Sequence, residues 1–341
     1  MKLLEDLTND EPTLLELIDV LRTVTDGKIF VELERARVTM VLSKIKEKNG
    51  EIKEACTVLN DIQIETYGSM ERREKAEFVL EQMRLLLDNN DLIRANMCAK
   101  KLSDKVLNDK DFEDIKIAYN LHMVRYHTEK ANYMSLFTCY NAIYATEIIQ
   151  KDEEKALDTL QSVVGFLSLS PRDPEQNDHC LKIKADERME KIPACEQLIK
   201  KMLTKELIRW TELESAVKTD LFGKGAFDGE RAEARWKDLQ KRVIEHNIFC
   251  VAENYTRVTT TRLASLVELP VDETETFLCD MVSGKQLYAK LDRPAGVVVF
   301  KKAESPDELL NGWSNDITAL LDLVEKSCHL IYKENIAHKI K

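Results

Sequence analysis

Asn254-Tyr-Thr-Arg-Val-Thr-Thr-Thr-Arg-Leu-Ala-Ser-Leu-Val-Glu-Leu-Pro270 and Val271-Asp-Glu-Thr-Glu-Thr-Phe-Leu-Cys-Asp-Met-Val-Ser-Gly-Lys-Gln-Leu-Tyr-Ala-Lys-Leu-Asp-Arg-Pro-Ala-Gly-Val-Val-Val-Phe300 form one continuous run with an informative order of signals. Tyr255–Val258 reads as a short strand. Thr259–Val267 reads as a short helix opened by a threonine cap, and Leu269-Pro270 turns the chain. Asp272–Ser283 reads as a helix with Phe277, Leu278, Met281 and Val282 inward and Gly284 just past its end. Leu287, Ala289 and Leu291 alternate as a strand, Arg293-Pro-Ala-Gly296 turns, and Val297–Phe300 returns as its hairpin partner. An amphipathic helix, Trp236–Asn254, precedes the run and buries Leu239, Val243, Ile244 and Phe249. Helix, strand, helix, turn, helix, hairpin is the order of a winged helix.

Downstream, Ser305-Pro306-Asp307-Glu308 combines an N-cap, a proline at the first helical position and a capping-box glutamate. Leu310, Trp313, Ile317, Leu320, Val324 and Ile331 then fall at heptad a/d positions, with Leu321 and Cys328 widening the seam. One small domain cannot cover so long a stripe, so partner helices are expected.

Upstream, turn signals recur. Asn49-Gly50 and Asn89-Asn90 stand forty residues apart (49 to 89), as do Gly68 and Asn108 (68 to 108). Ile52, Ala55, Leu59 and Ile62 make one apolar helical face; Phe78, Val79, Met83, Leu86 and Leu87 make another. Further helices are expected at about 112–127, 134–149, 153–167 and 193–210. A unit of about forty residues holding two helices predicts a helical-repeat solenoid. Ala55, Ala95, Cys98, Ala99, Ala142 and Ala145 supply small side chains for close helix approach. Ser168–Asp178, with two prolines, reads as a loop. Phe222–Glu230, with three glycines, reads as a flexible connector. The expected fold is an all-α solenoid of tetratricopeptide-like repeats over 1–167 and a helical continuation with flexible connectors over 168–235. A winged helix over 236–302 and a bundling helix over 303–341 follow.

Composition agrees with this order. Charged residues make up 33% and aromatics 6%, which suits long solvated helices better than a sandwich or barrel. A net charge of −11 disfavours nucleic acid as a main partner. The helix Asp272–Ser283 sharpens the point, because it carries Asp272, Glu273, Glu275 and Asp280 where a groove-reading helix needs cations. Lys285 lies just beyond its end, and the wing offers Arg293, Lys301 and Lys302 against that charge. The eight cysteines are widely spaced, without C-x-x-C, and read as reduced thiols packed as small apolar groups. Met1–Thr13 lacks the apolar run of a signal peptide, and Val163–Leu169 and Val297–Phe300 are too short to span a bilayer.

Catalytic patterns are missing too. His122, His127, His179, His246, His329 and His338 form no H-E-x-x-H or H-x-H pattern. Carboxylates sit in charge-mixed helices such as Glu71–Glu77, where they read as solvated faces. The three glycines after Phe222 lack phosphate-loop spacing. No catalytic residue, cofactor site or metal site is expected.

The architecture, a solenoid running into a winged helix, is that of PCI-domain proteins, found in the proteasome lid, the COP9 signalosome and eukaryotic initiation factor three. The sequence resembles the PCI-domain lid subunits of the 26S proteasome regulatory particle in several runs. They are Thr25-Asp-Gly-Lys-Ile-Phe-Val-Glu-Leu-Glu-Arg-Ala-Arg37, Glu65-Thr-Tyr-Gly-Ser-Met70, Leu80-Glu-Gln-Met-Arg-Leu85 and Arg235-Trp-Lys-Asp-Leu239. Val243-Ile-Glu-His-Asn-Ile248, Tyr255-Thr-Arg257, Val271–Phe300 and Leu309-Leu-Asn-Gly-Trp-Ser314 complete it. The chain looks shorter than the family at its N-terminus and different in the 215–230 connector. The resemblance implies a non-catalytic lid scaffold supporting a separate metal-dependent deubiquitinase in ubiquitin-dependent degradation. It also implies partners among PCI and MPN lid subunits, no membrane, and residence in cytoplasm and nucleus. The signalosome's equivalent scaffold and a winged-helix nucleic-acid binder are the alternatives. Two interfaces are implied: the hairpin (Leu287, Ala289, Leu291, Val297, Val299) and the C-terminal helix (Leu310, Trp313, Ile317, Leu320, Val324, Ile331).

Overall fold

The computed structural model describes residues 11–28, 31–62, 70–102, 107, 109–221, 223, 225–229, 231–300 and 305–338. Gly68, Asn108, Lys301, Lys302, most of the Glu65–Met70 run, and Ile29 and Phe30 lie outside them, so the readings made there have no structural counterpart. The chain divides into two compact units between His246 and Asn247.

The first unit is a stack of helix pairs. Its helices are α1 (Glu11–Thr25), α2 (Glu32–Lys48), α3 (Ile52–Asn60), α4 (Arg72–Asp88) and α5 (Leu92–Ala99). Then come α6 (Glu113–Lys130), α7 (Tyr133–Tyr144), α8 (Glu147–Lys151), α9 (Glu153–Leu169), α10 (Pro174–Lys184), α11 (Pro193–Leu203) and α12 (Trp210–Leu221). Helix α13 (Ala232–Asn254) crosses into the second unit. The starts of α2, α4, α6, α9 and α11 fall at 32, 72, 113, 153 and 193, forty or forty-one residues apart. The expected repeat is present, and it runs further than the turn signals indicated.

Local chemistry marks several of the turns within this period. Three of the hairpins turn on one residue in the left-handed region, Gly50 (φ 82°), Asn90 (φ 59°) and Ala131 (φ 53°), which lets the last helical carbonyls find donors. Asp91 and Asn132 follow directly and cap the next helix, accepting from the backbone N–H of Arg94 and Ser135. Ala55, Ala95, Cys98 and Ala99 are buried where helices meet, whereas Ala142 is half-buried and Ala145 exposed. Phe78, Met83 and Leu86 fill one core cluster; Phe137, Leu160, Val163, Phe166 and Leu198 fill the larger one.

Charged pairs join successive repeats at a constant offset. Arg37 grips Glu74 at 2.6 and 2.9 Å, and Arg84 grips Glu47 at 2.6 and 2.7 Å, each 37 residues apart. Arg125 reaches Asp88 at 2.7 Å with the same offset, and Asp88 also accepts from Arg84 at 3.2 Å. Paired forks of this kind hold both planes in one orientation and so fix helix register. The Arg84 guanidinium holds the Glu47 carboxyl below the usual carboxylate range, against the opposing effect of burial, and Arg37 does the same for Glu74. A carboxyl depressed in the folded state stabilises the fold above its unfolded value, and that contribution is lost as pH falls. The solenoid is therefore expected to lose thermal stability as pH drops from about 5 towards 3. Glu47→Gln should be less stable at neutral pH, and its deficit should shrink on acidification. A constant deficit across that window, by thermal melts in circular dichroism, would refute the assignment.

Two expectations need correction. Ser168–Asp178 is not a loop throughout: Ser168 and Leu169 end α9, and α10 begins at Pro174. The second of its two prolines, Pro174, occupies the first helical turn, where its missing N–H costs nothing. The stretch Phe222–Glu230 is not a slack connector where it is described. Gly225–Phe227 forms a helical turn with Ala226 and Phe227 in the core. Smaller differences are breaks at Ala145-Thr146 and after Leu203, inside stretches expected to be continuous. The first half of α13 is held by Tyr133, which donates to Asp238 at 2.5 Å, and just before the helix Arg231 reaches Glu129 at 2.9 Å.

In the second unit, the end of α13 leads into β1 (Arg257–Thr259), α14 (Thr260–Val267), α15 (Val271–Ser283), β2 (Lys290–Asp292) and β3 (Val297–Val299). The strands form an antiparallel sheet in the order β1-β3-β2, which is the expected winged helix. Val298 pairs with both Val258 and Leu291, so these three share the inner face. Val298 and Phe300 are buried with Leu263, Leu278 and Met281. Phe277 and Val282, expected inside, are half-buried. Helix α16 (Pro306–Ala337) ends the described chain.

Candidate docking surfaces

Helix α16 is the most exposed of the described elements. Its 32 residues include none that is buried. Ser305 accepts from the Glu308 N–H at 3.2 Å while the Glu308 carboxylate accepts from the Ser305 N–H at 2.9 Å, closing the expected capping box. Leu310, Trp313, Ile317, Leu320, Val324 and Ile331 are 51–64% exposed and lie along one side. The flanks carry more: Leu321 and Cys328 on one edge, Leu323 and Leu330 on the other, by a rotation of about 100° per residue. Sequence reading found the first flank and missed Leu323 and Leu330. Those edge positions hold charges in a two-helix coiled coil. Apolar side chains on both edges instead give a stripe broad enough for more than one neighbouring helix.

The hairpin behaves differently. Leu287, Ala289, Leu291, Val297 and Val299 are all half-buried. Strand alternation divides them, because Val298 points inward and Val297 and Val299 therefore lie on the outer face. Leu291 belongs with Val298 on the inner side. The sequence placed the hairpin without sorting its faces, since three successive valines conceal the period of two, and Leu287 and Ala289, expected in a strand, precede β2.

Reactive side chains lie elsewhere. His246 is buried, with Nδ1 3.1 Å from Arg172 Nη1 and Nε2 3.3 Å from the Glu206 carbonyl oxygen. The His179 ring packs 4.8 Å from Phe137. Six cysteines are buried, and Cys279 and Cys328 are exposed. Burial pushes Cys139 and Cys180 up to about 11 and Cys195 to about 12, away from thiolate chemistry. Among the described residues no group of three or more His, Cys, Asp or Glu could hold a metal ion, and no helix is long and apolar enough to cross a membrane. On α15, Asp272, Glu273 and Asp280 are exposed, and Glu275 binds Arg293, so one of the wing's cations is already paired.

Comparison with known proteins follows the same divisions. Residues 1–152 match the family model described as PSMD12/CSN4, N-terminal, and residues 176–302 match the PCI domain. Residues 307–339, which include nearly all of α16, match the 26S proteasome regulatory subunit RPN5 C-terminal domain. The 26S proteasome non-ATPase regulatory subunit 12 of Dictyostelium discoideum is 44% identical over 335 residues, covering 98% of this chain and 74% of that protein. The 26S proteasome regulatory subunit RPN5 of Saccharomyces cerevisiae is 40% identical over 333 residues, covering 97% and 75%. COP9 signalosome complex subunit 4 of Drosophila melanogaster is 23% identical over 303 residues, covering 88% and 71%. On these matches, and with the solenoid, winged helix and terminal helix each in place, the chain belongs to the family of PCI-domain proteins that includes 26S proteasome non-ATPase regulatory subunit 12 and RPN5.

Proposed function

We propose that the protein is a non-catalytic scaffold of the 26S proteasome regulatory lid, holding PCI and MPN subunits together and helping to position a metal-dependent deubiquitinase. The observation that carries this reading is α16, a capped helix with a broad apolar stripe and no buried residue. An unpartnered stripe of that size favours aggregation, and a helical bundle covers it. The stretch matching the RPN5 C-terminal domain is this same helix. Proteasome relatives at 40–44% identity, against 23% for the signalosome subunit, favour the lid over the signalosome. A role in ubiquitin-dependent degradation, in cytoplasm and nucleus, follows from that membership.

Affinity purification of the tagged chain, with co-purifying subunits identified by mass spectrometry, tests the reading. Recovery of proteasome lid subunits is expected; recovery of signalosome subunits alone, or of none, would overturn it. The hairpin provides a paired control. Val298→Asp places a charge in the core of the winged helix and should unfold that unit, at a cost of several kcal/mol. Val299→Asp lies on the outer face, so it should leave the fold intact and weaken association. Equal effects of the two on folding, read by proteolysis and circular dichroism, would show that the faces are misassigned.

A further inference from the structure

The outer face of the sheet has a charge pattern that selects its partner. Register places Arg257, Val299 and Lys290 side by side in one row, and Thr259, Val297 and Asp292 in the next. Opposed residues on one sheet face sit with their Cβ atoms about 4.5–5.5 Å apart. The half-buried Val299 therefore has an exposed cation on either side. Arg293, on the nearby wing, is paired with Glu275. Among the described residues neither Arg257 nor Lys290 has an ion-pair partner. In a chain of net charge −11, two cations without an ion-pair partner among the described residues, bracketing an aliphatic residue, form a site for the opposite pattern.

We infer that this face docks an acidic segment of a neighbouring protein subunit, one that sets an aliphatic side chain against Val299 and carboxylates against Arg257 and Lys290. This rests on the scaffold reading and adds the chemistry of one partner to it. A protein segment fits better than nucleic acid because the same unit exposes Asp272, Glu273 and Asp280, which repel phosphate. The valine gives contact area, and the two cations give register and exclude basic segments.

The test uses the assembly purified from cells. A carbodiimide joins an amine to a carboxylate only where the two touch, so Lys290 should become linked to an Asp or Glu in an acidic, aliphatic-containing stretch of another subunit. Arg257→Glu with Lys290→Glu should weaken retention of that subunit by about tenfold at physiological salt, with no change in helical circular dichroism. Arg257→Gln with Lys290→Gln should fall between. Links from Lys290 only within its own chain, or unchanged retention in the reversed variant, would overturn the inference while leaving the scaffold reading standing. Loss of binding to a single-stranded DNA probe with retention unchanged would instead assign the face to nucleic acid. If no lid subunit co-purifies with the unaltered chain, the scaffold reading fails and this inference goes with it.

Discussion

A chain carrying Ile317→Asp together with Leu320→Asp is expected to stay folded and to drop out of its assembly. Both side chains lie on the stripe of α16 and are more than half exposed in the free chain, so neither supports the fold of its own subunit. Covering a leucine or isoleucine with a partner is worth roughly 1.5–3 kcal/mol each. Forcing a carboxylate into the same place reverses the sign and adds desolvation. Loss of at least two to four orders of magnitude in affinity follows from these terms together, by about 1.4 kcal/mol per tenfold. Asp322 and Lys326, which do not lie on the stripe, supply the control: their alanine variants should assemble normally. Truncation after Pro306 should reproduce the double variant. Retained incorporation of either form, measured by co-purification, would mean that α16 folds back on its own chain.

What was legible in the sequence was whatever local chemistry dictates. The capping box of α16, the turn residues at 50 and 90, and the element order of the winged helix depend on neighbours within a few positions, and all appear where expected. Features fixed by distant contacts were read less well. Ala131 takes the left-handed turn position between α6 and α7, although alanine carries no turn signal; the repeat imposes that conformation. Pro174 looked like a helix breaker and is a helix starter, a distinction that depends on which residues follow it into the core. In β3, Val297, Val298 and Val299 are identical in type, so only pairing with β1 and β2 tells which one is inside. The exposed apolar stripe of α16 was drawn too narrow, because an a/d template ignores the edge positions where Leu323 and Leu330 sit.

The segment read as a slack connector gives the second large effect. Phe227→Ala is expected to destabilise the first unit by about 3–5 kcal/mol, as deletion of a buried phenyl ring usually does. Phe227 is 1% exposed and meets Trp236 edge-on at 5.3 Å, and Trp236 in turn meets Trp210 at 5.6 Å. Two hydrogen bonds and one close approach hold the hook that delivers it. Gly223 N–H donates to the Phe227 carbonyl at 2.9 Å, Arg235 Nη1 donates to the Ala226 carbonyl at 2.6 Å, and Gly225 bends with φ 55° against Ser162. Opposite the hook, Gly165 of α9 lies so near that a Cβ there would fall 2.5 Å from the Ala226 Cβ. Glycine at 165 is therefore a packing requirement inside a helix, where it would otherwise cost about 1 kcal/mol. Gly165→Val should dislodge the same hook from the other side. The two substitutions should then combine non-additively, since each removes much of what the other acts on. Phe227→Leu, which keeps most of the volume, should cost less than half as much. Thermal and urea melts of the full chain decide the matter. A loss below about 1 kcal/mol for Phe227→Ala, in the range of ordinary surface changes, would return the segment to the role of a connector.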